Sequence, residues 1–73
     1  MNATIKLALA LLCAPSVVPS NCDRSNAIRW WVGDPCNTPI ECMIAAQERA
    51  MTTGVVPRNG EHWKLTYEEK RND

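Results

Sequence analysis

The most apolar stretch of the chain comes first. Leu7 to Ala14 (LALALLCA) is an unbroken apolar run behind Lys6, and it ends at Pro15. A membrane-spanning helix needs ~20 apolar residues, so the run is too short to be one. A short apolar core behind a basic residue predicts a secretory signal. Ala14/Ser16 and Val18/Ser20 both carry small residues at the spacing a cleavage enzyme reads, and cleavage after Ser20 is expected. The predicted organisation is a signal peptide over 1–20 and one small domain over 21–73.

Beyond the leader the pattern changes several times. Ala27 to Val32 (AIRWWV) is an apolar patch, and Gly33-Asp34-Pro35 after it reads as a turn. Thr38-Pro39-Ile40-Glu41 opens a helix: Thr38 as N-cap, Pro39 at the first helical position, Glu41 closing a capping box. Gly54 marks its end. Within it Ile40, Met43, Ile44, Gln47 and Met51 share one side, read as the core face, while Glu41, Glu48 and Arg49 lie off it. Cys42 also projects away from that stripe. Val55-Val56 reads as a short strand ended by Pro57, and Arg58 to Glu61 as a turn. From His62 to Tyr67 the chain alternates, with Trp63, Leu65 and Tyr67 on one side and His62, Lys64 and Thr66 on the other. Glu68 to Asp73 reads as a charged tail. These elements predict an α+β fold: one helix packed on a small β-sheet or hairpin.

Charge narrows the function classes. The 73-residue chain balances eight Lys/Arg against eight Asp/Glu, and losing Lys6 with the leader makes the remainder −1. Neither a basic nucleic-acid patch nor a polybasic membrane signal is present, so no nucleic-acid partner and no membrane association after cleavage are expected. A domain this short needs staples, and disulfides supply them outside the cytosol, which predicts a secreted or periplasmic protein. Of the four cysteines, Cys13 leaves with the leader and an odd three remain. Cys36 and Cys42 are the candidate pair. Cys22 is then the expected free thiol, or the link in a disulfide-bonded dimer. Those three and His62 number four zinc ligands, but no close C-x-x-C pair organises them and no metal is expected. Catalysis is not expected either. His62 stands alone, Ser25 lacks a base and orienter, and Glu68 and Glu69 would face opposite ways on a strand. No cofactor is called for.

The order of features resembles the potato-type-I serine protease inhibitors and their small secreted fungal and bacterial elastase-inhibitor relatives. Trp31-Val32-Gly33 resembles the segment ahead of that family's helix, Thr38 to Thr53 the helix, Val55-Val56 the strand, and Arg58 to Glu61 the turn. Trp63-Lys64-Leu65-Thr66-Tyr67-Glu68-Glu69-Lys70-Arg71 aligns without gaps to the binding loop. The resemblance implies an exposed loop, Trp63 to Tyr67, held in a substrate-like shape for a subtilisin-, chymotrypsin- or elastase-type protease. The scissile bond would be Leu65–Thr66, with Leu65 entering an apolar pocket and Arg71 bracing the loop from beneath. A preorganised loop loses little entropy on docking, which is why such inhibitors bind tightly. Lys64 and Thr66 depart from the family's bracing residues. The chain reaches Asp73 where the family continues into a further strand, so the resemblance is to a member without its final strand. The alternative is a secreted interaction module, an effector or envelope accessory protein, that binds a partner through its Trp-rich surface.

Overall fold

The computed structural model describes residues 3–72, with side chains from Thr4 to Arg71. Strand β1 (Ala3–Cys13) leads through a loop with a single 3-10 turn (Pro19–Asn21) to β2 (Arg29–Cys36). Helix α1 (Pro39–Thr52) follows, then β3 (His62–Asn72). The fold is α+β, one helix on a three-stranded antiparallel sheet of order β2-β1-β3. Both outer strands run antiparallel to β1 and therefore parallel to each other. A parallel pair cannot be joined by a tight hairpin; it needs a crossover, and α1 is that crossover, passing over β1 from one edge to the other.

The apolar run expected to be the core of a leader is the central strand of this sheet. Ala8 to Cys13 are all buried. A strand covered on both faces needs apolar residues at every position rather than at alternate ones, a pattern it shares with the apolar core of a leader. Its two faces differ in size. Ala8 lies under the helix in one buried cluster with Cys36, Cys42 and Ala46. Leu9, Leu11 and Cys13 point the other way and are covered by the 14–28 loop through Cys22, Val17 and Ala27. A chain cut after Ser20 would lack both β1 and Cys13, so the sheet described here is that of the uncut chain.

The small residues of β1 let α1 approach closely. Cys42, Ala46 and Ala50 are the buried residues of the helix, one per turn along a single side. Gly33 completes the seat: a Cβ there would lie 3.2 Å from that of Ala8 and 3.4 Å from that of Arg49. The expected turn at Gly33-Asp34-Pro35 is instead inside β2. Leu7 pairs with Pro35 and Leu9 with Val32, so β2 carries one extra residue, a β-bulge. A bulge uses the same turn-forming residues without reversing the chain.

Helix α1 begins and ends as its sequence predicts. Thr38 Oγ1 accepts from Glu41 N at 3.1 Å, and the Glu41 carboxylate accepts from Asn37 N at 3.2 Å. Gly54 follows the C-cap with φ of 73°, a conformation that glycine takes without steric cost. Residues 54–57 form no strand, and β3 pairs instead with β1, from Cys13↔His62 to Ala3↔Asn72. The charged stretch from Glu68 to Asn72 belongs to that strand rather than to a free tail.

Candidate functional site

The residues expected to form an exposed binding loop lie in β3. Trp63, Lys64, Leu65, Thr66 and Tyr67 pair in order with Leu12, Leu11, Ala10, Leu9 and Ala8 of β1. Leu65 and Tyr67 rest against the buried cluster beneath the helix. Trp63 meets Trp31 with ring centroids 5.3 Å apart; Ala10, opposite both Trp31 and Leu65, is small enough to leave room for that contact. On the other face Lys64 Nζ donates to the Cys22 carbonyl at 2.9 Å. Arg71 faces Thr4 across the ladder, not the underside of a loop. The gapless alignment to an inhibitor loop fits a strand equally well, because alternation along an extended segment is common to both.

The cysteines differ from expectation at one position. Cys36 and Cys42 are bonded, with Cα atoms 5.1 Å apart, as their spacing allowed. Cys22 is not a free thiol: it is bonded to Cys13, Cα–Cα 6.1 Å. None of these cysteines is free, so the structure leaves no thiol for a disulfide-linked dimer. The odd count arose only from removing Cys13 with the leader. Cys22 is further anchored by Asp23, whose carboxylate accepts from the Ser25 hydroxyl and from Ser25 N at 2.8 Å. Those bonds, the hydroxyl's first, hold the Asp23 carboxyl below its ordinary value of 3.8.

The Cys36–Cys42 bond decides what the helix shows to its surroundings. Cys42 projects away from the Ile/Met stripe, and tying it to the end of β2 turns the stripe outward. The expected core face is therefore exposed: Ile40 by 73%, Met43 by 52%, Ile44 by 54% and Met51 by 74%. These side chains run along the outer side of α1 and continue past Met51 into a groove of about 330 Å³, lined also by Gln47, Val55, Val56, Trp63 and Leu65. Glu41 and Glu48, both exposed, border the stripe on its polar side. Large contiguous apolar patches are uncommon on the surface of monomeric proteins. Methionine suits such a surface because its flexible, polarisable chain adapts to a partner's contour.

Two of the tryptophans carry a cation. Arg24 lies over the Trp30 ring at 5.2 Å and is held there by an ion pair with Glu68 at 2.8 Å. Arg29 lies over Trp31 at 4.9 Å. Each guanidinium sits on one face of its ring in a cation–π contact, and Trp30 stays 42% exposed. His62 turns Nδ1 to the Gly60 carbonyl at 3.3 Å and leaves Nε2 buried without a partner. Among the described residues no three His, Cys, Asp or Glu side chains converge, and no helix is long and apolar enough to cross a membrane.

The fold class is thus a disulfide-stapled helix on a three-stranded sheet, with an uncovered apolar helix face. Comparison with protein-family models, with curated proteins and with solved structures finds no match for this chain.

Proposed function

We propose that this chain is a secreted, non-catalytic interaction module whose outer helix face docks an amphipathic, basic helical segment of another protein. The observation that carries the reading is the outward Ile40–Met43–Ile44–Met51 stripe on a helix whose opposite side is fully engaged by the sheet. Helix-in-groove recognition uses apolar anchors at this spacing. Glu41 and Glu48 beside the stripe favour Lys or Arg flanking the partner's apolar residues, and they disfavour an anionic lipid surface. Two disulfides in one small domain support folding in an oxidising compartment. The inhibitor reading has less support: Leu65 and Thr66 sit within a paired strand, and a protease needs its substrate bond in an extended segment free of a ladder.

The test uses synthetic helical peptides of Leu and Lys, or Leu and Glu, in the same amphipathic pattern, titrated against the chain. The Leu/Lys peptide should bind in the micromolar range. Ile44→Asp and Met51→Asp should each weaken it about tenfold or more, a loss of the size expected for an interface anchor, and fluorescence of Trp63 beside the groove reports it. Equal binding of both peptides, or indifference to both substitutions, would overturn the proposal. Inhibition of subtilisin or chymotrypsin by the parent chain, abolished in Leu65→Gly, would replace it with the inhibitor reading.

A further inference from the structure

The connection from α1 to β3 ends in a turn, Arg58 to Glu61, whose two central residues are left uncovered by the fold. Asn59 and Gly60 take φ of 23° and 88°, and both are exposed. Of the chain's asparagines, Asn59 alone is followed by glycine. Among the described residues, no hydrogen bond engages the Asn59 carboxamide or the Gly60 N–H. Asn26 is the contrast: its Nδ2 donates to the Asn21 carbonyl and its Oδ1 accepts from Asp23 N, both at 2.8 Å.

The carboxamide carbon of an asparagine is open to attack by the backbone nitrogen of the next residue. Glycine favours that attack, because it has no Cβ to crowd the nitrogen and lets the peptide rotate freely. Asn21, Asn26 and Asn37 are followed by Cys22, Ala27 and Thr38, whose Cβ atoms hinder the approach.

We infer that Asn59 is a site of self-modification, deamidating through a cyclic imide with Gly60 at a rate set by the closed turn. The Gly60 nitrogen, its proton lost to base, forms a bond to Asn59 Cγ. The Cγ–Nδ2 bond breaks, and Nδ2 leaves as ammonia. Water then opens the ring. Addition at Cγ breaks its new bond to nitrogen and gives aspartate. Addition at the Asn59 main-chain carbonyl breaks the original peptide bond and leaves an isoaspartyl linkage, in which the main chain runs through Cβ and Cγ. Water is the only reagent consumed, and nothing is oxidised or reduced.

Few contacts hold the turn shut. Glu61 N donates to the Arg58 carbonyl at 2.6 Å, and the Glu61 carboxylate accepts from Arg58 N at 2.8 Å. Residues 54–57 ahead of it belong to no helix or strand, so the turn can open without parting the sheet. The isoaspartyl product lengthens the main chain where Gly60 is closely seated. A Cβ on Gly60 would lie 3.1 Å from that of Pro15, and His62 Nδ1 lies 3.3 Å from the Gly60 carbonyl. The modification therefore alters the entry to β3. Neither the helix stripe nor its groove takes part, so the inference stands or falls apart from the docking proposal.

Incubation of the full chain at mildly alkaline pH, with peptide mapping by mass spectrometry, tests it. Aspartate and isoaspartate should accumulate at Asn59 ahead of every other asparagine, and faster as pH rises, because the attacking nitrogen must lose its proton. The rate should be less than about a hundredfold below that of a free peptide of residues 57–61, the slowing expected of a turn held by two hydrogen bonds. Glu61→Ala, which removes the carboxylate bond, should speed the reaction about twofold to tenfold. Asn59→Gln, whose longer side chain closes a larger ring, should show none at that position on the same timescale. Circular dichroism confirms the parent fold of both variants before the comparison. Modification led by another asparagine would overturn the inference. So would a Glu61→Ala rate equal to the parent's, or a slowing greater than a hundredfold, toward the factor of about a thousand or more that global unfolding alone would impose.

Discussion

Replacing Cys13 and Cys22 together by alanine tests the placement of the N-terminal segment most directly. Both sulfurs are buried, Cys13 at the end of the central strand and Cys22 in the loop that covers Leu9 and Leu11. The bond closes a separation of nine residues, and the chain-entropy relation gives about 2.6 kcal/mol for a loop of that size. The Cys36–Cys42 bond, over six residues, contributes about 2.2 kcal/mol on the same relation. A chain of 73 residues has a total stability of roughly 4–11 kcal/mol, so the first bond alone is a large share of it. In urea, with a slope of about 1 kcal/mol/M for so small a domain, the double variant should unfold at a midpoint about 2–3 M lower. A midpoint within about 0.5 M of the parent, with the slope unchanged, would mean that the loop does not clamp β1 as described. Thiol labelling adds an independent reading. The uncut chain should take up no label before unfolding, whereas exported material beginning near Asn21 would carry Cys22 without Cys13 and show one reactive thiol. Recovery of that shorter, labelled form as the folded product would refute the reasoning outright.

Two further outcomes follow from particular contacts. Leu65→Ala should cost about 1–2 kcal/mol, below the range for a fully enclosed leucine because the side chain is only half-buried against the cluster beneath the helix; a denaturation curve identical to the parent's would restore the exposed-loop reading. For Asp23, bonding to Ser25 depresses the folded carboxyl relative to the unfolded chain, so its contribution is fully present above the ordinary value and is lost as pH falls through the lower, folded one. An NMR titration of the Asp23 carboxyl should therefore show a midpoint below 3.8, moving up toward that value in Ser25→Ala, which removes the hydroxyl bond and keeps the backbone ones; an unshifted parent would remove Asp23 as an anchor of the loop.

Much of this protein is determined locally and is legible in the sequence. Helix α1 is written in its ends: Thr38, Pro39 and Glu41 at the start and Gly54 after the finish act within one turn of themselves, so no distant contact is needed to place them. The alternation from His62 to Tyr67 marks a strand for the same reason, and the spacing of Cys36 and Cys42 across the cap already allowed their bond. What the sequence left open are the quantities that depend on what stands opposite. Leu7 to Ala14 has no period of its own, so its place as the central strand depends on the two partner strands, the helix and the loop that cover it. The Ile/Met stripe has the right period for a core, but periodicity gives the apolar side of a helix and not the direction in which that side is turned. Here the direction was set by Cys42 tied to Cys36, and by a seat of Ala8, Ala10 and Gly33 too shallow for anything larger than Cys42, Ala46 and Ala50. Local chemistry fixes where elements begin and end, whereas burial is a relation between elements, and only the tertiary structure decides which of two apolar surfaces it is spent on.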